Sequence, residues 1–250
     1  MNPAEYERMH QLEDWYWWFV SRREAAIRFL RDALSDQARI RVLDAGCGTG
    51  GMLDLFSRTP GFESTGADIC PDALRFCRNR GHTRLVAADL TALPFESESF
   101  DAVTSLDVLE HIEADFDAAG EIARVLRPGG VLVAIVPAYQ FLWGPHDVAL
   151  HHKRRYGAGQ LPQVLERAGL KVERETFLLT LLFPAAVAAR MLARWRHRGD
   201  QAESAGLPPV SAALNRLLIR LQAAELALAR RCTLKFGLSI VVVARKPLKS

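Results

Sequence analysis

The stretch Arg41-Val-Leu-Asp-Ala-Gly-Cys-Gly-Thr-Gly50 constrains the fold of this chain more than any other. Val42 and Leu43 suit a strand buried on both faces, and the glycines after Asp44 permit a turn that side chains would obstruct. Met52-Leu-Asp-Leu-Phe56 then reads as a helix. Strand, glycine turn and helix together bring backbone N–H groups to a helix N-terminus, where a ligand can approach the main chain closely. Taken literally, Gly46, Gly48 and Gly51 satisfy the G-x-G-x-x-G dinucleotide fingerprint, with Asp68 where a ribose-binding acid is expected. Asp44 argues against that reading. A carboxylate just ahead of the turn repels a pyrophosphate and favours a ligand bearing an ammonium or sulfonium group.

From Arg39 onward strand and helix patterns alternate, which implies parallel pairing through right-handed crossovers. The spacing predicts strands over 39–44, 64–69, 85–89, 100–106, 131–136, 171–177 and 238–244. Pro71 opens a helix at a position where its missing N–H is not needed, and Arg127-Pro-Gly-Gly130 stops another. In such sheets ligands bind beyond the carboxyl ends of the strands. Asp44, Asp68, Asp89 and Asp107 all fall at or just past those ends, so four acids face one crevice.

At this point a resemblance becomes specific. Val42-Leu-Asp-Ala-Gly-Cys-Gly-Thr-Gly50 resembles the first motif of class I S-adenosylmethionine-dependent methyltransferases. Leu85-Val-Ala-Ala-Asp-Leu90, Leu93-Pro-Phe95, Ser99-Phe-Asp-Ala-Val103, Asp107-Val-Leu-Glu-His-Ile112 and Arg127-Pro-Gly-Gly130 are similar, in order, to the motifs that follow it. The resemblance implies an α/β, Rossmann-like fold: a seven-stranded sheet of order 3-2-1-4-5-7-6 with the last strand antiparallel and helices on both faces. It implies S-adenosylmethionine as cofactor, held at its methionyl end by the turn from Asp44 through Gly46, Cys47 and Gly48 to Gly50. Asp68 would accept both ribose hydroxyls and Asp89 the adenine amino group, with Ile69 and Leu90 flanking the ring and Leu106 nearby.

Ahead of the first strand, residues 6–34 read as helix, with Trp15, Tyr16, Trp17, Trp18 and Phe19 crowded into one turn. Glu13-x-x-x-Trp17-Trp18-Phe19-x-x-Arg22-Arg23 resembles the leader of a bacterial branch of the same family. Two readings stay open for it: an aromatic helix packed on the domain, or a lid over residues 1–38 in which Trp18 closes the pocket and Arg22 pairs with the methionine carboxylate. Residues 39–250 are expected to form the main domain, with a helical insertion over 178–232 between the last two strands. That insertion starts almost wholly apolar, continues through Arg194, Arg196, His197 and Arg198, and ends in a helix with Leu214, Leu217, Leu218 and Leu221 on one face. An interfacial helix on an anionic membrane and a hairpin packed over the pocket or a second subunit, giving a homodimer, both fit it.

Methyl transfer from a sulfonium needs positioning, desolvation and sometimes a base. His111, after the fourth strand, and His151 are the expected catalytic residues, with His146 and His152 as further candidates. Lys153-Arg-Arg155 suits an acidic acceptor. The four cysteines show neither C-x-x-C pairing nor a histidine at zinc spacing, so neither disulfides nor a metal site is expected. A net charge of +3 is too small to argue for nucleic acid. The first residues lack a secretory signal, which makes a cytoplasmic protein, peripheral on the inner membrane face where the insertion binds lipid, the expectation. The function expected is methylation, at oxygen, of a small-molecule or lipid-linked acceptor. The alternatives are a nicotinamide-dependent oxidoreductase and a non-catalytic cofactor-binding partner of a glycolipid pathway.

Overall fold

The computed structural model describes residues 3–34, 39–196 and 209–249. Seven strands form one sheet: β1 (Ile40–Ala45), β2 (Phe62–Asp68), β3 (Leu85–Ala87), β4 (Phe100–Leu106), β5 (Leu126–Pro137), β6 (Lys171–Leu178) and β7 (Ser239–Arg245). Their order is β3-β2-β1-β4-β5-β7-β6, and β7 runs antiparallel to both its neighbours. Order and direction agree with the pattern that the resemblance implies. Successive strand residues alternate between two cores, because side chains in a strand point to opposite faces. Val42, Ala102, Val133, Ile135, Val241 and Val243 pack on one face; Leu43, Val103, Leu132, Ala134 and Val242 pack on the other. Burial on both faces explains why these strands read as continuous apolar runs.

Nine α-helices surround the described sheet: α1 (Pro3–Leu12), α2 (Trp17–Ala33), α3 (Gly51–Ser57), α4 (Pro71–Asn79), α5 (Asp115–Val125), α6 (Pro145–Ala149), α7 (Gln160–Arg167), α8 (Phe183–Arg196) and α9 (Ala212–Arg231). α5 and α7 cover one face through Ala118, Ala119, Ile122, Leu161 and Leu165. α2, α3 and α9 cover the other through Ala25, Ala26, Phe29, Leu30, Met52, Phe56, Leu226 and Ala229.

The leader differs from the single helix predicted over 6–34. It breaks at 13–16, where Glu13 is drawn into the glycine turn and Tyr16 takes an extended conformation and is buried. Asn215 of α9 holds the break: its Oδ1 accepts from the Trp17 N–H at 2.9 Å and its Nδ2 donates to the Trp15 carbonyl at 2.8 Å. α2 is therefore a core helix of the sheet, and it is α1 that lies over the crevice.

The insertion folds as α8 and α9, and the leucine face of α9 is not the one that packs on the protein. Leu214 and Leu217 are exposed, while Asn215, Gln222, Glu225, Leu226 and Ala229 face the protein. The reason is hydrogen bonding: besides Asn215, Glu225 accepts from the Thr180 N–H at 3.1 Å and the Leu181 N–H at 3.0 Å where the chain leaves β6. The side chains of Arg194 and Arg196, and the whole of His197, Arg198 and the polar loop after them, lie outside what is described.

Candidate active site

A single cavity of about 1070 Å³ opens at the carboxyl ends of β1, β2 and β4. One end is the glycine turn. Gly46, Gly48 and Gly50 all have positive φ, and a Cβ on Gly46 would lie 2.3 Å from a Val108 methyl, so the turn can close on a ligand only without side chains. Asp68, at the end of β2, accepts the Gly48 N–H at 2.9 Å and the Cys70 N–H at 2.9 Å, which fixes its carboxylate beside the turn. Burial pushes its pKa up while those two N–H groups pull it down.

Asp44 is buried beneath the turn and accepts from Thr104 Oγ1 at 2.7 Å. Burial, opposed by that hydrogen bond, pushes its carboxyl up to about 7. A carboxyl so placed ionises only partly near neutral pH, and a bound cation would favour its charged form. Asp89 is exposed, with Oδ1 accepting from the Thr91 N–H and hydroxyl. Ile69 is 65% exposed and sits on the cavity wall next to Asp68, with buried Leu90 close by on the same wall. An apolar side chain left in the open beside two acids fits a flat heterocycle whose edge carries polar groups.

α1 covers this end. Tyr6, Met9 and Glu13 line the cavity, and Glu13 clamps the turn by accepting from the Thr49 hydroxyl and, at 3.0 Å, from the Gly51 N–H. Arg80 completes the clamp, 2.7 Å from Glu13, 3.1 Å from Asp14 and 2.5 Å from Asp54.

The other end lies past β4, where Asp107 takes a left-handed conformation (φ 55°) rare outside glycine and asparagine. Its carboxylate lies 2.7 Å from Arg22 Nε. Arg22 is buried, stacks 3.9 Å from the Trp18 ring centroid and donates to Ser239 Oγ. Arg22 and Trp18 both line the cavity, yet Arg22 is paired with Asp107 and Ser239 of the protein itself, where a ligand carboxylate was expected. Glu110, His111, His146, His152 and Arg155 line the same end, and Leu182, Ala185, Ala186 and Arg190 of α8 form its apolar wall. Burial lowers His111 to about 3, so its ring is neutral.

Of the site residues expected from sequence, Asp44, Gly46, Cys47, Gly48, Asp68, Ile69, Asp89, Leu90, Leu106, Trp18, Arg22 and His111 come together on this cavity. Gly50 stands behind it as the residue capping α3. His151 does not reach it: it is exposed at a left-handed turn, and the next residue, His152, is the one turned inward. The basic run is largely spent internally, Arg155 on Asp147 at 2.7 Å and Arg154 on Asp115 at 2.9 Å. Glu110 and Asp147 were not anticipated. The sequence signal for Glu110 was a charge inside the apolar string Val108-Leu-Glu-His-Ile112; for Asp147 there was none.

Residues 43–134 match a family model described as a methyltransferase domain. The chain is 40% identical over 121 residues to a demethylmenaquinone methyltransferase of Thermus thermophilus, covering 44% of this chain and 54% of that protein. It is 40% identical over 105 residues to a fatty-acid O-methyltransferase of Mycolicibacterium smegmatis, covering 39% and 37% respectively. The chain spans about half the length of the first of these relatives and about a third of the second. In fold, it superposes with a TM-score of 0.64 and 21% identity on a structure described as a complex between the Haloferax volcanii Trm112 methyltransferase activator and the putative methyltransferase, covering 99% of this chain and 96% of that one.

Proposed function

We propose that this chain, whose residues 43–134 form a domain of the class I S-adenosylmethionine-dependent methyltransferase family, transfers a methyl group to oxygen on a small-molecule or lipid-linked acceptor. The observation that carries the reading is the continuity of the cavity, from the glycine turn with Asp44 and Asp68 at one end to the histidines and the apolar face of α8 at the other. A donor and an acceptor can therefore meet in one water-poor space.

The residues present fit the cofactor. The glycine turn and the ionisable Asp44 suit the methionyl end, Asp68 the ribose, and Asp89 with Ile69 and Leu90 the adenine. When bound, S-adenosylmethionine supplies an electrophilic methyl already activated by its sulfonium. The chain's own part is to orient the acceptor and exclude water. Leu106 and Val108 line the cavity, and α1 lies over the turn, held by Glu13. His111, neutral and at the acceptor end, can accept a hydrogen bond from an acceptor hydroxyl and so aim its oxygen lone pair.

The lipid-linked version draws support from α8. One of its faces lines the cavity, while Leu181 just before it and Met191 and Leu192 within it are exposed at 58%, 66% and 43%. A lipid could enter from a membrane surface along such an edge. The fatty-acid relative points the same way. No described helix is long and apolar enough to cross a membrane, so attachment to the cytoplasmic leaflet would be peripheral.

Calorimetric binding of S-adenosylhomocysteine to wild type and Asp89→Ala, with a reduced nicotinamide nucleotide as control, tests the reading. Saturable binding, weakened about tenfold or more in the variant for a lost hydrogen bond to the ring edge, is expected. Binding of the nicotinamide nucleotide instead would return the glycine turn to an oxidoreductase.

A further inference from the structure

The acceptor end of the cavity holds three groups that the methyl-transfer reading leaves partly unexplained. Glu110, His111 and His152 each offer a ligand atom, and the three atoms lie within 4.8 Å of one another. Glu110 is fully buried, lines the cavity, and neither of its oxygens has a well-formed hydrogen bond. Burial and the neighbouring Asp107 push its carboxyl well above the ordinary carboxylate range, and an acid so buried with no hydrogen-bond partner calls for an explanation. Arg22 and Arg155 act on it without bonding to it, since Arg22 is matched by Asp107 at 2.7 Å and Arg155 by Asp147 at 2.7 Å.

Both histidines are already oriented from behind. His152 Nδ1 lies 2.9 Å from Asp147 Oδ1, and Asp147 is itself fixed by Arg155 and by the Gly144 N–H. The His111 ring is hydrogen-bonded to the Leu150 backbone. Each ring therefore keeps one nitrogen for the space they share, and the rings meet edge to face with centroids 4.6 Å apart. A carboxylate or carbonyl behind each imidazole is the arrangement by which proteins orient metal-ligating histidines.

We propose that Glu110, His111 and His152 form a binding site for a divalent first-row transition metal such as zinc, iron or manganese, facing the acceptor. Two imidazoles and one carboxylate suit these ions better than magnesium or calcium, which prefer all-oxygen shells. Bond lengths of about 2.0–2.2 Å require ligand atoms about 3.3–3.5 Å apart in a tetrahedral site. The cluster reaches that spacing by contracting about an ångström, within the reach of side-chain torsions. Three protein ligands leave at least one position open to the cavity, where an acceptor's hydroxyl or carboxylate oxygen would bind in place of the hydrogen bond to His111 available when no metal is present. That last step rests on the proposed function; the metal site itself does not. No local spacing announces such a site, since the ligands come from two segments forty-odd residues apart and involve no cysteine.

The test is titration of untagged, chelator-treated full-length protein with Co²⁺, followed by visible absorbance, with Zn²⁺ as competitor and no methyl donor present. One saturable equivalent is expected, displaced by Zn²⁺, with affinity reduced at least about tenfold in Glu110→Gln and in Asp147→Asn, the residue behind His152. Far-UV circular dichroism identifies any variant that has unfolded, and His152→Gln replaces it in that event. Absence of saturable binding to folded wild type, or binding indifferent to every folded variant, overturns the proposal. Cobalt binding in a protein that ignores S-adenosylhomocysteine would uphold the metal site while removing the proposed function; the reverse pair of results would do the opposite.

Discussion

Asp44 shows how a single side chain can serve function against stability. Its carboxyl has an ordinary value of 3.8, and burial raises it to about 7 in the fold. Because the folded value is the higher, the stability linked to this group is fully present below about pH 4 and is lost as pH rises through about 7. Asp44→Asn keeps an acceptor for the Thr104 hydroxyl and removes the cost of ionisation. The variant should be more stable than wild type at about pH 8, by on the order of 2–4 kcal/mol at most, and should lose more than half of that advantage at about pH 5 and the rest below about pH 4. It should also bind S-adenosylhomocysteine more weakly, having no charge for the ligand's ammonium. In wild type, ionisation of Asp44 should make ligand affinity fall roughly eightfold between about pH 7.5 and about pH 6. Thermal melts and calorimetry across this range check both; a variant that is less stable at every pH would sink the argument. The identity and place of Asp44 were legible in the sequence, whereas its protonation was not, because that depends on Thr104 and on burial beneath a turn.

At the scale of elements, strands were far more legible than helices on the surface. β4 was predicted at its observed limits, since Phe100, Ala102, Val103 and Leu106 form a run bounded by the polar Glu98-Ser99 and by Asp107. β5 begins five residues before its predicted start, because Leu126 pairs with Phe100 ahead of the bulge that Pro128-Gly-Gly130 creates. The packing of α9 was not legible for a different reason. Its leucine spacing is helical, but its orientation is set by Asn215 and Glu225, whose partners lie about two hundred and about forty-five residues away. No local periodicity carries that information. Asn215→Ala should strand the Trp17 N–H and the Trp15 carbonyl at the start of α2. A cost of about 1–3 kcal/mol is expected, measured by urea unfolding, because groups left unsatisfied when buried lose their whole hydration. Leu214→Ala, one residue away but exposed, should cost less than about 0.5 kcal/mol. Equal costs for the two would mean that α9 packs by its leucines after all.

For the whole molecule, the insertion joins the two halves of the site. α9 packs along α2 and ties to it through Arg230 and Asp32, paired at 2.5 Å, while the start of α8 forms a wall of the cavity. Removing residues 183–231 would uncover the face of α2 at Trp18 and Ala25, where Leu226 of α9 now lies, as well as opening the cavity, so a truncated chain should aggregate rather than change only its oligomeric state. A membrane role must therefore be tested with the chain intact. The exposed residues Leu181, Met191 and Leu192 flank the α8 wall, and Leu214, Leu217 and Leu228 extend the apolar surface along α9. If this surface meets lipid, the full-length protein should sediment with anionic vesicles at low salt, less so at high salt, and hardly at all with neutral ones. Substituting Met191 and Leu192 together by glutamate should reduce sedimentation while leaving S-adenosylhomocysteine binding at the far end of the cavity unchanged. Vesicle sedimentation that survives this change, or a protein that stays in the supernatant at every salt concentration, would leave the acceptor to be sought among soluble molecules, which reach the same histidines through the cavity mouth.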